Sequence, residues 1–272
     1  MTDVPHHVQG GPVELSPAAE FDVATLARVF TAAYEGYWFP VELDAAAFAR
    51  MATVVDADLG LSRVATVDGG PVAVALLARR DVEGWVGGMG VAVPHRRRGL
   101  GRTMLVAALD AAREAGIERV TLEVLEQNRP ARELYRHLGF ERVRDLEVWS
   151  LPTGPGEPCE VDAAEARAWL RVHRSGREPW QRDDASVAHL DDVRGVMVEG
   201  GAALVRIAGG HVSVLQLAGR PDALRALLAG ARGLGESLGV VNLPAGHPAS
   251  AILGELGGRL EARQHELELR LS

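Results

Sequence analysis

The chain has 272 residues, 47% of them hydrophobic and 24% charged, with a net charge of −8. That length accommodates two domains of ordinary size, and that composition builds packed cores. The acidic balance argues against nonspecific nucleic-acid binding, and the apolar runs fall short of the ~18 residues of a membrane span. Cys159 is the single cysteine, so an internal disulfide and a cysteine-built metal site are excluded. Met1–His7 has neither the basic nor the apolar part of a signal peptide, and the cytoplasm is the expected location.

In chain order, Pro12–Leu15 reads as a short strand. Val23–Ala33 and Ala45–Val54 read as amphipathic helices, with Asp22 and Asp44 placed as N-caps. Arg63–Val67 and Val72–Ala78 flank Asp68-Gly69-Gly70, a hairpin turn, and Gly84–Val93 is a further strand. A helix is expected from about Gly99 to Ala115, stopped by Gly116. Then come a strand at Arg119–Leu125, a short helix at Ala131–Leu138, and two strands at Phe140–Val143 and Glu147–Leu151. The run Pro152-Thr153-Gly154-Pro155-Gly156-Glu157-Pro158 continues neither helix nor central strand and reads as a linker between domains at 1–151 and 159–272.

The second part repeats the order of the first. Val193–Val198 leads into Glu199-Gly200-Gly201, and His211–Leu217 precedes a helix expected from Asp222 to about Leu238, ending at Gly239 as the earlier one ends at Gly116. His247-Pro248-Ala249 through Gly257 lines up with Arg129-Pro130-Ala131 through Gly139. The expected class is α/β (α+β), a mixed and mostly antiparallel sheet flanked by helices, duplicated within the chain.

The stretch Val91-Ala92-Val93-Pro94-His95-Arg96-Arg97-Arg98-Gly99-Leu100-Gly101-Arg102 carries the chemistry. A strand enters a basic, glycine-containing turn that opens a helix. Free N–H groups and the helix dipole favour an anion there, the glycines let it approach the main chain, and the arginines add charge. A pyrophosphate fits this recipe; the bland alternative is a solvated basic turn.

Arg96-x-x-Gly99-x-Gly101 resembles the [Q/R]-x-x-G-x-[G/A] signature of the GNAT acetyltransferases. Leu122-Glu123-Val124 through Asn128, Ala131, Leu134-Tyr135 and Gly139-Phe140 resembles that family's second block. The pair of motifs covers roughly half the chain and is closest to the branch that acetylates protein N-termini. The resemblance implies a GNAT fold and acetyl-CoA as cosubstrate, with no metal. It implies pantetheine along the backbone at Val91 and Val93, the phosphates at Arg96, Arg97, Arg98, Gly99, Gly101 and Arg102, and a cofactor or capping role for Asn128. Tyr135 takes the place of the family's general acid and Glu123 that of its base, with Glu83 and Glu35 in reserve.

Glu35, Tyr37 and Trp38, within the aromatic run Tyr34–Phe39, are candidates for an acceptor wall or for a cluster that locks the loop. The expected acceptor is a small-molecule amine or a peptide N-terminus, with a homodimer left open. An acyl-CoA sensor without turnover is the alternative. His95 reads as a surface residue, and His6 and His7 lack further metal ligands. In the second domain the Gly116–Gly239 match sets Arg97, Arg98, Gly99 and Gly101 opposite Arg220, Pro221, Asp222 and Leu224, and Tyr135 falls opposite Leu253. That domain is expected to keep the fold and lack the chemistry.

Overall fold

The computed structural model describes residues 11–271, so His6 and His7 lie outside the described residues. The first part forms β1 (Val13–Pro17), α1 (Val23–Ala33), α2 (Ala45–Val54), β2 (Arg63–Val67), β3 (Gly70–Arg80), β4 (Glu83–Val91), α3 (Leu100–Glu114), β5 (Arg119–Leu125), α4 (Arg129–His137) and β6 (Glu141–Pro152). Asp22 and Asp44 cap their helices, accepting the N–H groups of Thr25 at 2.8 Å and Ala47 at 2.7 Å. β6 is one strand where two were expected. Its charged middle is accommodated by partners: Arg144 pairs with Glu266, and Asp145 meets His265 at 2.8 Å.

The second part forms β7 (Glu160–Val161), α5 (Ala163–His173), α6 (Asp184–Ala188), β8 (Val193–Val198), β9 (Gly201–Ala208), β10 (His211–Gly219), α7 (Pro221–Ala231), β11 (Ser237–Pro244), α8 (Ala249–Glu255) and β12 (Arg259–Arg270). Here one expectation fails. α7 ends at Ala231 rather than Leu238, because its buried face (Leu224, Leu227, Leu228, Ala231) runs out there and Gly233 and Gly235 follow. Gly239 is not a helix stop. It lies within β11, opposite Ser213 on one side and Ser150 on the other.

Two compact units result. The first takes residues up to 123, 133–141 and from 267 onward; the second takes 124–132 and 142–266. In the first, the strand order is β1-β2-β3-β4-β5, and the end of β12 follows β5, with the Leu271 N–H donating to the Glu118 carbonyl at 2.8 Å. In the second, the order is β12-β6-β11-β10-β9-β8-β7.

Period-2 alternation along β3 gives the first unit two cores. Val74 and Leu76 pack with Leu26, Phe30 and Phe48 of α1 and α2. Ala73 and Ala75 face the other way, against Leu100, Met104 and Ala108 of α3. The second unit repeats this along β9. Ala202 and Leu204 meet Ala166 and Leu170 of α5, while Ala203 and Val205 meet Leu224, Leu227 and Leu228 of α7.

Candidate active site

β4 and β5 run parallel and pair only at Glu83, Gly84 and Trp85 with Arg119, Val120 and Thr121. From Val86 to Val91, β4 keeps its pairing with β3 but has none with β5. The register with β3 slips between Leu76/Gly88 and Leu77/Val86, leaving Gly87 as a bulged residue. The glycines here answer to contacts. A Cβ at Gly88 would sit 2.6 Å from the Phe30 ring, and one at Gly90 would sit 2.8 Å from Cβ of Ala33 and 2.9 Å from its carbonyl oxygen. β4 therefore lies tight against α1 on one side while its far edge stands open.

β4 delivers the chain into the turn. Arg97 and Gly99 both have positive φ, 61° and 81°, and Gly99 is the N-cap of α3 in the left-handed conformation. Among the described residues, no carbonyl accepts the N–H groups of Gly99, Leu100 or Gly101; the first helical bonds are those of Arg102 and Thr103 to the Gly99 carbonyl. A Cβ on Gly99 would meet nothing within 4 Å, so the space above the turn is open.

Arg97, Arg98 and Arg102 are exposed around it. Arg96 has a different engagement: its guanidinium donates to the carbonyls of Val91 at 2.8 Å, Ala33 at 3.1 Å and Glu35 at 2.7 Å. It ties the end of β4 to the end of α1. Val91 closes β4, and Val93 is exposed at the start of the turn.

Beside the open edge stand the chain's three tyrosines, Tyr34, Tyr37 and Tyr135. Tyr135 is buried on α4, its ring 5.8 Å from that of Phe140. Burial, then the neighbouring Tyr37, push its pKa well above the usual phenol range. Tyr34 was not singled out from sequence. Its ring stacks on Phe30 at 4.8 Å and meets Tyr37 edge-on at 5.1 Å, and its hydroxyl end is enclosed at the bulge, where the Met89 N–H faces it. Burial foremost, then Tyr37 and Tyr135, raise its pKa. Trp38 continues the aromatic series from Tyr37 and is half exposed; Glu35 is exposed.

On β5, Glu123 leaves the apolar face while Leu122 and Val124 are buried, as alternation requires. The Trp85 indole N–H donates to Glu123 Oε2 at 2.7 Å and fixes the carboxylate. Glu83, a reserve base, is instead paired with Arg119 at the closed end of the strands. The Asn128 side chain caps the first turn of α4, accepting the Ala131 N–H at 3.4 Å. Among the described residues, no group of three or more His, Cys, Asp or Glu is placed to hold a metal ion. No helix among them is long and apolar enough to cross a membrane.

Residues 24–140 match the profile of the "Acetyltransferase (GNAT) family". The match covers 117 of the chain's 272 residues, and that segment is similar to the GNAT acetyltransferases. It is 37% identical over 68 residues to "N-alpha-acetyltransferase MAK3" of Arabidopsis thaliana, a match spanning 25% of this chain and 36% of that protein. The matched segments span between 22% and 36% of the curated relatives' own length. Two solved structures share the fold along nearly the whole chain. One is a GCN5-related N-acetyltransferase from Sphaerobacter thermophilus, with TM-score 0.71, 18% identity and 95% of each chain covered. The other is a tandem GNAT protein from the clavulanic acid biosynthesis pathway, with TM-score 0.66, 15% identity and 95% and 98% covered.

The second unit repeats the GNAT strand geometry and fills it differently. β10 and β11 pair in parallel only at His211–Ser213 with Ser237–Gly239, and β10 has its own slip between Val214 and Gln216. Arg182, buried, donates to the Val214 carbonyl of β10 at 3.5 Å and the Val241 carbonyl of β11 at 3.1 Å. A guanidinium thus bridges the two strands where they part.

The helix starts also differ. α7 has Arg220 as N-cap, Pro221 as its first residue and Asp222 next, where α3 has Gly99, Leu100 and Gly101. This register replaces the one taken from Gly116 and Gly239, which assumed too long a helix. Leu253, in α8, is fully buried.

Proposed function

We propose that the chain is an acetyl-CoA-dependent N-acetyltransferase acting on a primary amine, of a small molecule or a peptide N-terminus, by direct transfer in a ternary complex. One arrangement carries the reading: the edge of β4 that parts from β5 leads straight into a helix start whose first N–H groups have no carbonyl acceptor among the described residues, with a buried tyrosine and an anchored carboxylate alongside. An extended pantetheine arm can pair with that edge as an added strand, at Val91 and Val93. The pyrophosphate fits the N–H groups at Gly99–Gly101, with Arg97, Arg98 and Arg102 supplying charge. Arg96 holds the strand end in place for both. Thioesters are already activated, so no metal is required.

In the transfer, the amine nitrogen bonds to the acetyl carbon and the C–S bond breaks. Glu123 takes the proton the amine loses, directly or through water. Tyr135 gives a proton to the departing thiolate. A raised phenol pKa keeps that proton in place at neutral pH, and the burial that raises it also raises the proton affinity of a thiolate formed nearby. Glu35, Tyr37 and Trp38 border the acceptor side. The name of the Arabidopsis relative supports a peptide N-terminus among the acceptors. In the second unit, Arg182 and the Pro221-Asp222 helix start favour a lobe that binds no cofactor.

The test is release of free CoA thiol from acetyl-CoA with a panel of small amines and short peptides. Amine-dependent release with a matching acetylated product is expected. Tight acetyl-CoA binding with no release for any acceptor would contradict the enzyme reading and favour an acyl-CoA-binding protein.

A further inference from the structure

The loop after α5 is the second unit's counterpart of the loop after α1. Both helices have 11 residues, and both carry an aspartate N-cap, Asp22 and Asp162. Both lead into the same spacing around a glycine: Tyr34-Glu35-Gly36-Tyr37 in one, Arg174-Ser175-Gly176-Arg177 in the other. Where the first loop sets two tyrosines at the site, the second sets two arginines. These line a cleft of about 270 Å³ within the second unit, together with Arg144, Arg182 and His247. Leu217, on β10 just past its bulge, also lines the cleft and stands where Met89 stands on β4.

The cleft is built to donate. Asp184 holds Arg174 through two bonds of 2.9 and 3.0 Å, and Arg144 is held by Glu266 and by the Arg177 carbonyl at 2.6 Å; each five-donor guanidinium keeps further N–H groups. The carboxylate lining the cleft, that of Glu178, accepts from Arg182 at 2.8 Å. The Ala249 N–H donates to Nδ1 of His247 at 3.1 Å, which places the neutral ring's proton on Nε2. Burial, then the charge of Arg182, lower the His247 pKa, so at neutral pH the ring is an uncharged donor. Planar guanidinium forks match the oxygens of carboxylates and phosphates, and several are converged here.

We infer that this cleft is a second ligand site, for a small oxyanion bearing a carboxylate or a phosphate. The duplicated GNAT scaffold has exchanged a phenolic acyl-transfer site for a guanidinium-lined anion site, so the second unit recognises a ligand rather than performing chemistry.

The test is calorimetry on the full chain saturated with acetyl-CoA, titrated separately with inorganic phosphate, succinate and citrate. At least one should bind with a Kd of about 1 mM or tighter. The phosphate arm against the carboxylate arms identifies the source. Arg177→Ala should weaken that binding about tenfold or more. Gly176→Glu should do so as well, since a Cβ there meets nothing within 4 Å and the added charge opposes the anion. Both variants should keep wild-type acetyl-CoA affinity.

No binding by any of the three anions overturns the site, as does binding undiminished in both variants. Failure of acetyl-CoA to bind would instead overturn the proposed function, leaving the anion arm to be judged by itself.

Discussion

Tyr135→Phe removes one oxygen from a buried ring and leaves its packing on Phe140 in place. If Tyr135 is the proposed proton donor to the thiolate, turnover on a true acceptor should fall by ~10²-fold or more, with little change in acetyl-CoA affinity. Glu123→Gln should act on the amine side: the Trp85 bond survives, the base does not, and the pH–rate profile changes shape. Steady-state kinetics across pH separates the two. Normal turnover in both variants would mean that water alone moves the protons. At this scale motif spacing named candidates and was blind to residues acting through space. Tyr34 sits in the aromatic run that drew notice, yet only its closeness to Met89, Tyr37 and Tyr135 gives it meaning. Arg96 belongs to the signature, but its use on three carbonyls follows from where α1 ends.

At the scale of elements, local signals located most of the first unit. Aspartate caps, the Asp68-Gly69 turn and apolar periodicity are short-range physics, and those elements formed within a few residues of expectation. The misreadings share a different cause. β6 stays one strand because its charges find partners on β12, far away in sequence. α7 was overextended because Leu234 and Leu238 prolong a helical period into what becomes a strand between β10 and β6.

Asp184, at the start of α6, gives a pH prediction of the same long-range kind. Burial alone would raise the pKa of Asp184, but hydrogen bonds from Arg174, Gln216 and Arg171 outweigh it and hold the carboxyl at about 2, against an ordinary 3.8. A depressed carboxylate adds stability that is present above the ordinary value and is lost as pH falls through the folded one. Stability measured by denaturant between about pH 4 and pH 2 should therefore fall, and Asp184→Asn should flatten that part of the slope. An unchanged slope would mean that Asp184 is not held as described.

For the whole molecule, the duplication was legible as a repeated order of turns, but not the assignment of strands. β6 follows α4 in sequence and pairs with β11; β12 follows α8, and its end lies beside β5. No local pattern encodes that choice, since both strands would bury the same alternating face. Nor could the sequence point to Arg182, whose role depends on Val214 and Val241 being parted by the splay.

Of the two GNAT-type strand openings, one is proposed to bind acetyl-CoA and the other not. Calorimetry of acetyl-CoA into the full chain tests it most directly, with Gly101→Asp as the companion variant. That substitution brings to α3 the residue that α7 carries at Asp222, and it is sterically mild, the nearest neighbour of a new Cβ being Leu134 at 3.8 Å. One equivalent should bind to the wild type and none to the variant. Two equivalents, or one equivalent that persists undiminished in Gly101→Asp, would contradict it.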